Sequence, residues 1–201
     1  MKLLAKIYLL LLCAGAMLIT HAHKDLILEF KAAYFQPTHG TFKHIYHGGA
    51  LFGPEITFNI VGPIYGFASY DFFTKNGKSL GLSTCTNVRL QVLAAGLKFM
   101  HCVADNITLY GGLGFQPIFL HTHNYSPYVI QITHKWGFGG IAKFGMYIDV
   151  PCNIVLDLFV DYSLMTVKKS SCNNRPIGYI QQTNANLSGV SFGAGLGYRF
   201  N

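Results

Sequence analysis

From residue 26 to the C-terminus, apolar side chains alternate with polar or small ones. In residues 187–200, LSGVSFGAGLGYRF, every second position is apolar or aromatic, and glycine, serine and arginine lie between them. A period of two places the two sets on opposite faces of a β-strand. A strand with one wholly apolar face that ends on an aromatic is typical of membrane-spanning barrels. The pattern recurs and predicts eight strands, at 26–35, 50–60, 64–74, 87–100, 107–119, 136–149, 154–166 and 187–200.

The connections between these strands alternate in length. They are short at 61–63, 101–106 and 150–153, and long at 36–49, 75–86, 120–135 and 167–186. An even number of strands with alternating short and long connections indicates antiparallel neighbours in a closed ring. The sequence therefore predicts an all-β fold, an eight-stranded antiparallel up-and-down transmembrane β-barrel. A secreted β-sandwich is the alternative.

The N-terminal segment has the features of a signal peptide. Lys2 and Lys6 precede an apolar run from Ile7 to Ile19, which is followed by the small and polar residues Thr20, His21 and Ala22. The competing interpretation is a membrane anchor, but the run is shorter than the ~20 residues that a spanning helix needs. We expect residues 1–22 to be a signal peptide and residues 23–201 to form one barrel domain. The chain is 51% hydrophobic and 11% charged, about half the charge of an ordinary soluble domain.

Most charged side chains fall on the strand faces opposite the apolar ones. In a barrel of eight strands the interior is just wide enough for side chains, and charges buried there must be paired. The predicted interior charge network comprises Glu29, Lys31, Glu55, Asp71, Arg89, Lys98, Lys143, Asp157, Asp161 and Arg199. We expect a structural ion-pair plug in which Asp157, Asp161 and Glu29 reach Arg199. A gated ion path or a catalytic cluster is the alternative.

The fourth segment departs from simple alternation. Val88, Leu90 and Val92 share one parity, whereas Leu93, Ala95, Leu97 and Phe99 take the other. A β-bulge near Val92 would place both sets on the lipid side. We therefore expect a bulge at this point of strand four.

Three features of the sequence point to a family. They are the eight strand segments, the glycine-rich stretches LYGGLGF at 109–115 and GFGGIAKFG at 137–145, and the ending GAGLGYRF. With these features the chain resembles the small outer-membrane β-barrel superfamily, which includes the OmpA transmembrane domain, OmpX, OmpW and the opacity-type adhesins. The resemblance implies insertion by the barrel assembly machinery into the outer membrane of a Gram-negative-type bacterium, with the last aromatic strand as the recognised signal. Here Asn201 follows the terminal aromatic Phe200.

The four long connections contain basic residues and neither Asp nor Glu. The predicted external basic rim consists of Lys43, Lys75, Lys78, Lys135, Lys168, Lys169 and Arg175. Such a rim favours anionic partners, namely outer-membrane lipid, lipopolysaccharide phosphates or acidic surface glycans. The rim can also simply complement the anionic outer leaflet. Nucleic acid is not an expected partner in this compartment.

Four cysteines remain after residue 22. Cys102 and Cys152 fall at the short-turn end, and Cys85 and Cys172 at the long-loop end. In an oxidising envelope, pairing within each end is the arrangement that the topology allows, with free thiols as the alternative. Histidines cluster in the first and third long connections, at His39, His44, His47, His121, His123 and His134. Without accompanying carboxylate or cysteine ligands they favour solvated histidines over a metal site, so neither a metal nor a cofactor is expected.

Three functions compete. The first is a non-enzymatic surface barrel, structural or adhesive, that acts through its basic loops. The second is a channel similar to OmpW for small apolar compounds, for which Tyr65, Phe67, Phe73 and Ile141 are the inward apolar candidates. The third is a lipid-modifying enzyme using Ser126 near His121 and His123, but no carboxylate stands close in sequence to orient the histidine. The surface barrel ranks first, and we expect no enzymatic activity.

Overall fold

The computed structural model describes residues 25–38, 43, 47–78, 85–124, 132–167 and 185–200. Within the strands, side chains are not described at 78, 85, 86, 122–124, 132–134 and 185. The predicted signal peptide, residues 1–22, lies outside these ranges.

The described chain is almost entirely β-strand. Its strands are β1 (Leu26–Pro37), β2 (Gly49–Val61), β3 (Ile64–Lys78), β4 (Cys85–Ala104), β5 (Ile107–Asn124), β6 (Ile132–Val150), β7 (Ile154–Val167), β8 (Ala185–Asn186) and β9 (Gly189–Phe200). Each of β1 to β7 pairs antiparallel with the next, and β9 pairs with both β7 and β1. The ring is therefore closed, and the predicted up-and-down barrel is confirmed.

The two-residue strand β8 and the strand β9 both pair with β7, and together they occupy the eighth strand position of the ring. Thr166 pairs with Asn186 and Ser163 with Gly189, so the register along β7 is the same on both sides of the break. Between them the Ser188 hydroxyl accepts a hydrogen bond from the Met165 amide at 3.0 Å. A side chain thus replaces one rung of the ladder, and the ring has eight strand positions.

The strands meet in tight connections at one end of the barrel, the short-turn end. Gly62 (φ 53°), Cys152 (φ 70°) and Asn153 (φ 61°) adopt the left-handed conformation there. The Asn59 side-chain amide donates to the Gly62 carbonyl at 2.8 Å and closes the β2–β3 turn. The opposite end carries the longer connections, and we call it the long-loop end.

The wall is taller than the sequence predicts on one side. β4, β5 and β6 contain 20, 18 and 19 residues, whereas β1 and β9 contain 12 each. About 9–11 residues are enough for a tilted strand to cross a bilayer. The segments around Lys75, His121 and Lys135, predicted to lie in connections, are therefore parts of extended strands.

The exterior is apolar, as the alternation predicts. Exposed side chains on the outer face include Phe30 (54%), Leu158 (45%) and Phe144 (58%), with Trp136, Phe138, Tyr198 and Phe200 among the aromatics. Such a belt is unstable in water and stable against lipid. No helix in the described part of the chain is long and apolar enough to cross a membrane.

The bulge predicted near Val92 is wrong. The register of β4 against β3 runs without a shift from Cys85 to Phe99, so every even residue from Val88 to Lys98 keeps the inward face. Val88, Leu90 and Val92 are at most 4% exposed and lie inside the barrel. They have partners there because the interior near the long-loop end is apolar, so an apolar residue does not by itself indicate a lipid-facing position.

Candidate functional site: the sealed interior and the basic end

A layer of paired charges fills the middle of the barrel, and we call it the charge plug. Glu55 on β2 is its centre, because its carboxylate contacts Lys31 at 3.3 Å, Lys143 at 3.0 Å and Lys98. The Asp157 carboxylate is 3.0 Å from the Lys31 ammonium, and Asp161 is 2.8 Å from Lys143. The pairs link β1, β2, β4, β6 and β7 across the interior.

Tyrosine hydroxyls and aromatic rings complete the plug. Lys98 donates to the Tyr147 hydroxyl at 2.7 Å, and that hydroxyl donates to Glu29 Oε1 at 2.9 Å. The Tyr110 hydroxyl donates to Asp157 Oδ1 at 2.9 Å. The Lys98 ammonium also lies 4.4 Å from the Tyr110 ring centroid, where it gains cation–π attraction. These hydrogen bonds satisfy groups whose burial would otherwise oppose folding.

Apolar clusters close the interior on either side of the plug. Toward the long-loop end lies the outer apolar cluster, formed by Phe35, Phe73, Val88, Leu90, Val92, Ile118, Met165, Val167 and Leu187. Toward the short-turn end, Ile27, Met100 and Val155 pack with Tyr110, Tyr147 and Phe159. The barrel therefore contains no water-filled passage through the part that the structure describes.

Arg199 does not join the plug, contrary to the prediction. Its guanidinium contacts Asp25 and Asp149, each at 3.0 Å, at the short-turn end. The Tyr65 hydroxyl donates to Asp25 at 2.9 Å and completes the group. Glu29, Asp157 and Asp161 lie further from the short-turn end than Arg199, by two or more residues along the strands. Lysines contact these carboxylates instead.

Two other predicted network residues also differ from expectation. Arg89 lies on the exterior, because it alternates with the inward Val88 and Leu90, so its assignment to the interior is wrong. Asp71 faces inward on β3, where it accepts a hydrogen bond from the Ser69 hydroxyl at 3.3 Å, and it makes no ion pair with a described Lys or Arg. The remaining seven predicted network residues apart from Arg199 are brought together in the plug.

The predicted basic rim is divided between strands and connections. Lys75 and Lys78 belong to β3 and Lys135 to β6, so their assignment to loops is wrong. Lys75 and Lys135 are half-buried, while Lys43 is exposed. The predicted rim residues Lys168, Lys169 and Arg175 lie outside the described residues.

Charge is nevertheless separated along the barrel axis. The acidic residues are Asp25, Glu29, Glu55, Asp71, Asp105, Asp149, Asp157 and Asp161, and each lies in the interior or at the short-turn end. The strand tops and connections of the long-loop end carry Lys and Arg without any Asp or Glu. Arg89 adds to this end on its outer surface, two residues above Gln91.

The predicted pair of Cys102 and Cys152 does not form. Both side chains are free thiols and exposed, and Cys102 Sγ lies 3.6 Å from the Thr108 hydroxyl. β5 and β6 stand between them, which separates the two residues by roughly 10 Å at ~4.8 Å per strand. A disulfide requires Cα atoms within ~7 Å. For the other predicted pair, Cys85 has a described backbone only, and Cys172 lies outside the described residues.

The histidines near the long-loop end are in strands. His121 and His123 belong to β5 and His134 to β6, and His121 pairs in register with His134. Among the described residues no group of three His, Cys, Asp or Glu could hold a metal ion. His47 is exposed, whereas His39, His44 and the candidate nucleophile Ser126 lie outside the described residues.

Sequence reasoning missed the neutral members of the interior. Tyr110, Tyr147, Thr57 and Gln116 are all buried and face inward. Their parity places them on the charged face of their strands, so the alternation could have found them. The predicted interior network contains charged residues alone, so it leaves out the neutral hydroxyl and amide groups.

Solved outer-membrane proteins have the same ring of strands. OprG of Pseudomonas aeruginosa matches with a TM-score of 0.59 at 12% identity, covering 88% of this chain and 96% of OprG. The Neisserial surface protein NspA matches at 0.56 and 14%, covering 88% and 96%. Ail of Yersinia pestis, solved with the heparin analogue sucrose octasulfate, matches at 0.54 and 14%, covering 88% and 98%.

No protein-family model and no curated protein matches the sequence. At 12–14% identity, what these structures share with the chain is the fold. The molecule therefore has the fold of the small eight-stranded outer-membrane β-barrels, with a sealed interior and a basic long-loop end.

Proposed function

We propose that the protein is a non-enzymatic surface protein of the outer membrane of a Gram-negative-type bacterium, where its long-loop end faces outward and binds anionic partners. The observation that carries this proposal is the separation of charge along the barrel. Carboxylates lie in the interior or at the short-turn end, and the charged residues in the sequence of the long-loop end are all Lys or Arg. A surface of one sign attracts ligands of the opposite sign.

Arg89 indicates the class of ligand at the membrane surface. It is exposed on the outer face, two residues above Gln91, which pairs with Phe72 and Phe119. Exposed aromatics of this kind mark the level of the lipid headgroups in β-barrels. A guanidinium just above them can donate two hydrogen bonds to one phosphate. The phosphates of lipopolysaccharide are at this level, and acidic glycans are accessible to Lys43 beyond it.

The sealed interior supports a surface role over a pore. The charge plug and the outer apolar cluster fill the lumen, so the residues free to bind a partner lie at the ends. Ail, which has the same fold, was solved with a polyanionic heparin analogue. That precedent supports a sulfated or phosphorylated glycan as the probe for this chain.

The proposal is tested by heparin binding of the barrel refolded in zwitterionic lipid. Replacing Lys43, Lys75, Arg89 and Lys135 with Gln should leave folding intact and weaken binding, and added salt should weaken wild-type binding in the same way. The control is Lys24→Gln, which removes a positive charge from the residue that precedes Asp25 in the sequence. Equal binding of heparin and of lipopolysaccharide by wild type and the quadruple variant at low salt would contradict the proposal.

A second candidate function is passage of small apolar compounds through the wall. β4 and β5 have no paired residues at Leu93 and Ala94, opposite Gln116 and Pro117, and proline lacks the amide that a ladder requires. An apolar groove of about 570 Å³ lies outside this interruption. β2 and β3 likewise have no paired residues at Gly53 and Pro54. There, however, a Cβ added to Gly53 would overlap the Tyr70 carbonyl, so those two backbones are close. Faster liposome uptake of an apolar dye with the wild type than with Pro117→Val would favour this candidate.

A further inference from the structure

A small cavity lies between the charge plug and the outer apolar cluster. Its volume is about 30 Å³, and its polar lining consists of the acceptors Asp71, Gln116 and Asp161, the two lysines Lys31 and Lys143, and two serines. A void admits a water molecule at ~10–15 Å³. This cavity therefore has room for one small ion with a water molecule, or for two water molecules.

Two buried oxygen atoms around the cavity have no hydrogen-bond partner. Gln116 is 2% exposed and its Oε1 accepts nothing, and Asp161 uses Oδ2 for Lys143 while Oδ1 accepts nothing. Asp71, half-buried on the cavity wall, accepts from the Ser69 hydroxyl and from no other side chain of the described residues. Buried acceptors without a partner oppose folding, so a donor or a cation is required at this place.

The charges of the plug do not balance. The plug has four carboxylates, Glu29, Glu55, Asp157 and Asp161, and three ammonium groups, Lys31, Lys98 and Lys143. Asp71, on the cavity wall, adds a fifth carboxylate beside it. Arg199 and Arg89 are at the ends and do not reach this layer. In a low-dielectric interior an excess of negative charge must be compensated. Asp71 and Asp161, which line the cavity, are the acids with free acceptor capacity there.

We propose that the cavity binds one monovalent cation of the sodium or potassium class through Asp161 Oδ1, Gln116 Oε1 and the Asp71 carboxylate. A donor set of oxygens alone suits hard cations. A single charge fits because two ammonium groups, those of Lys31 and Lys143, also line the cavity and would repel an ion of higher charge more strongly. The ion joins β3, β5 and β7 and reduces the charge imbalance of the plug.

The first experiment measures unfolding of the refolded barrel in neutral lipid at constant ionic strength. Sodium or potassium chloride is exchanged for tetramethylammonium chloride, whose cation is too large for the cavity. The unfolding midpoint should rise with the logarithm of sodium or potassium concentration, as mass action requires for a ligand of the folded state. Equal stability in all three salts would assign the cavity to water and overturn the proposal.

The second experiment uses variants and a direct signal. Gln116→Leu removes one ligand, keeps the volume and every charge, and should abolish the cation-specific rise together with the broadening of the sodium-23 resonance. Gln91→Leu, the same change on the exterior of β4, should retain both. Asp71→Asn provides the same test if Gln116→Leu fails to fold. Cation dependence that survives in the cavity variants would overturn the proposal. So would an unfolding midpoint that rises on acidification, as the carboxylates take up protons, but does not respond to sodium or potassium at any pH.

Discussion

At the scale of single residues, Glu55 organises the interior. Its carboxylate accepts from three lysines and is 1% exposed, whereas Arg199 and its partners at the short-turn end are partly exposed. An ion pair that is fully buried loses more on disruption than one that water can reach. The two sites should therefore differ in what their removal costs.

We predict that Glu55→Gln lowers the free energy of unfolding by about 3–5 kcal/mol, because three ammonium groups lose their shared partner. Arg199→Met should cost about 1 kcal/mol and depend on salt. The measurement is urea-induced unfolding in lipid, with Asp105→Asn at the exposed β4–β5 turn as the control. A Glu55 variant as stable as the wild type would show that the plug does not stabilise the barrel.

At the scale of the strand, parity determines which face meets lipid. On β7 every even residue is exposed and every odd residue is buried from Val155 to Val167. β4 follows the same alternation, although its inward residues near the long-loop end are apolar. The outward face should therefore respond to charge according to its depth in the membrane.

We predict that Leu158→Arg costs about 2–4 kcal/mol in lipid, because Leu158 lies in the middle of the outer apolar belt. Thr166→Arg, on the same face eight residues further toward the long-loop end, should cost about 0–1 kcal/mol. Folding titrations in lipid vesicles measure both. Equal costs would mean that this face of β7 does not cross the hydrocarbon core.

At the scale of the whole molecule, two layers of side chains block the lumen, the charge plug in the middle and the outer apolar cluster toward the long-loop end. Both layers are contributed by most of the eight strand positions. Because side chains fill the lumen in both layers, ions have no path along the axis through the described part of the barrel.

We predict that the wild type gives no steady conductance in planar bilayers. Lys143→Met, which leaves Asp161 and Glu55 short of one partner, should lower stability before it produces conductance. The variant is compared with the wild type and with Gln91→Leu, a substitution on the outer face of β4. A steady open level in the wild type, or conductance in the variant without destabilisation, would favour a gated path over a plug.

Local pattern by itself determined the strand number, the closed up-and-down topology and most of the face assignments. The reason is that the period of two is a property of one strand and requires no knowledge of its neighbours. It placed Lys31, Lys98, Lys143 and their carboxylates inside the barrel. It failed at Arg89, where apolar inward neighbours were taken for lipid-facing residues.

Only the tertiary structure decided which inward groups meet. Arg199 pairs with Asp25 and Asp149 because of its height in the register, and Cys102 stays apart from Cys152 because two strands intervene. The heights of β4 to β6, and hence the place of Lys75 and Lys135, also follow from pairing across strands. These contacts join residues that are far apart in the sequence, and their distances are set by strand register and by closure of the ring. Alternation along one strand carries no information about such distances.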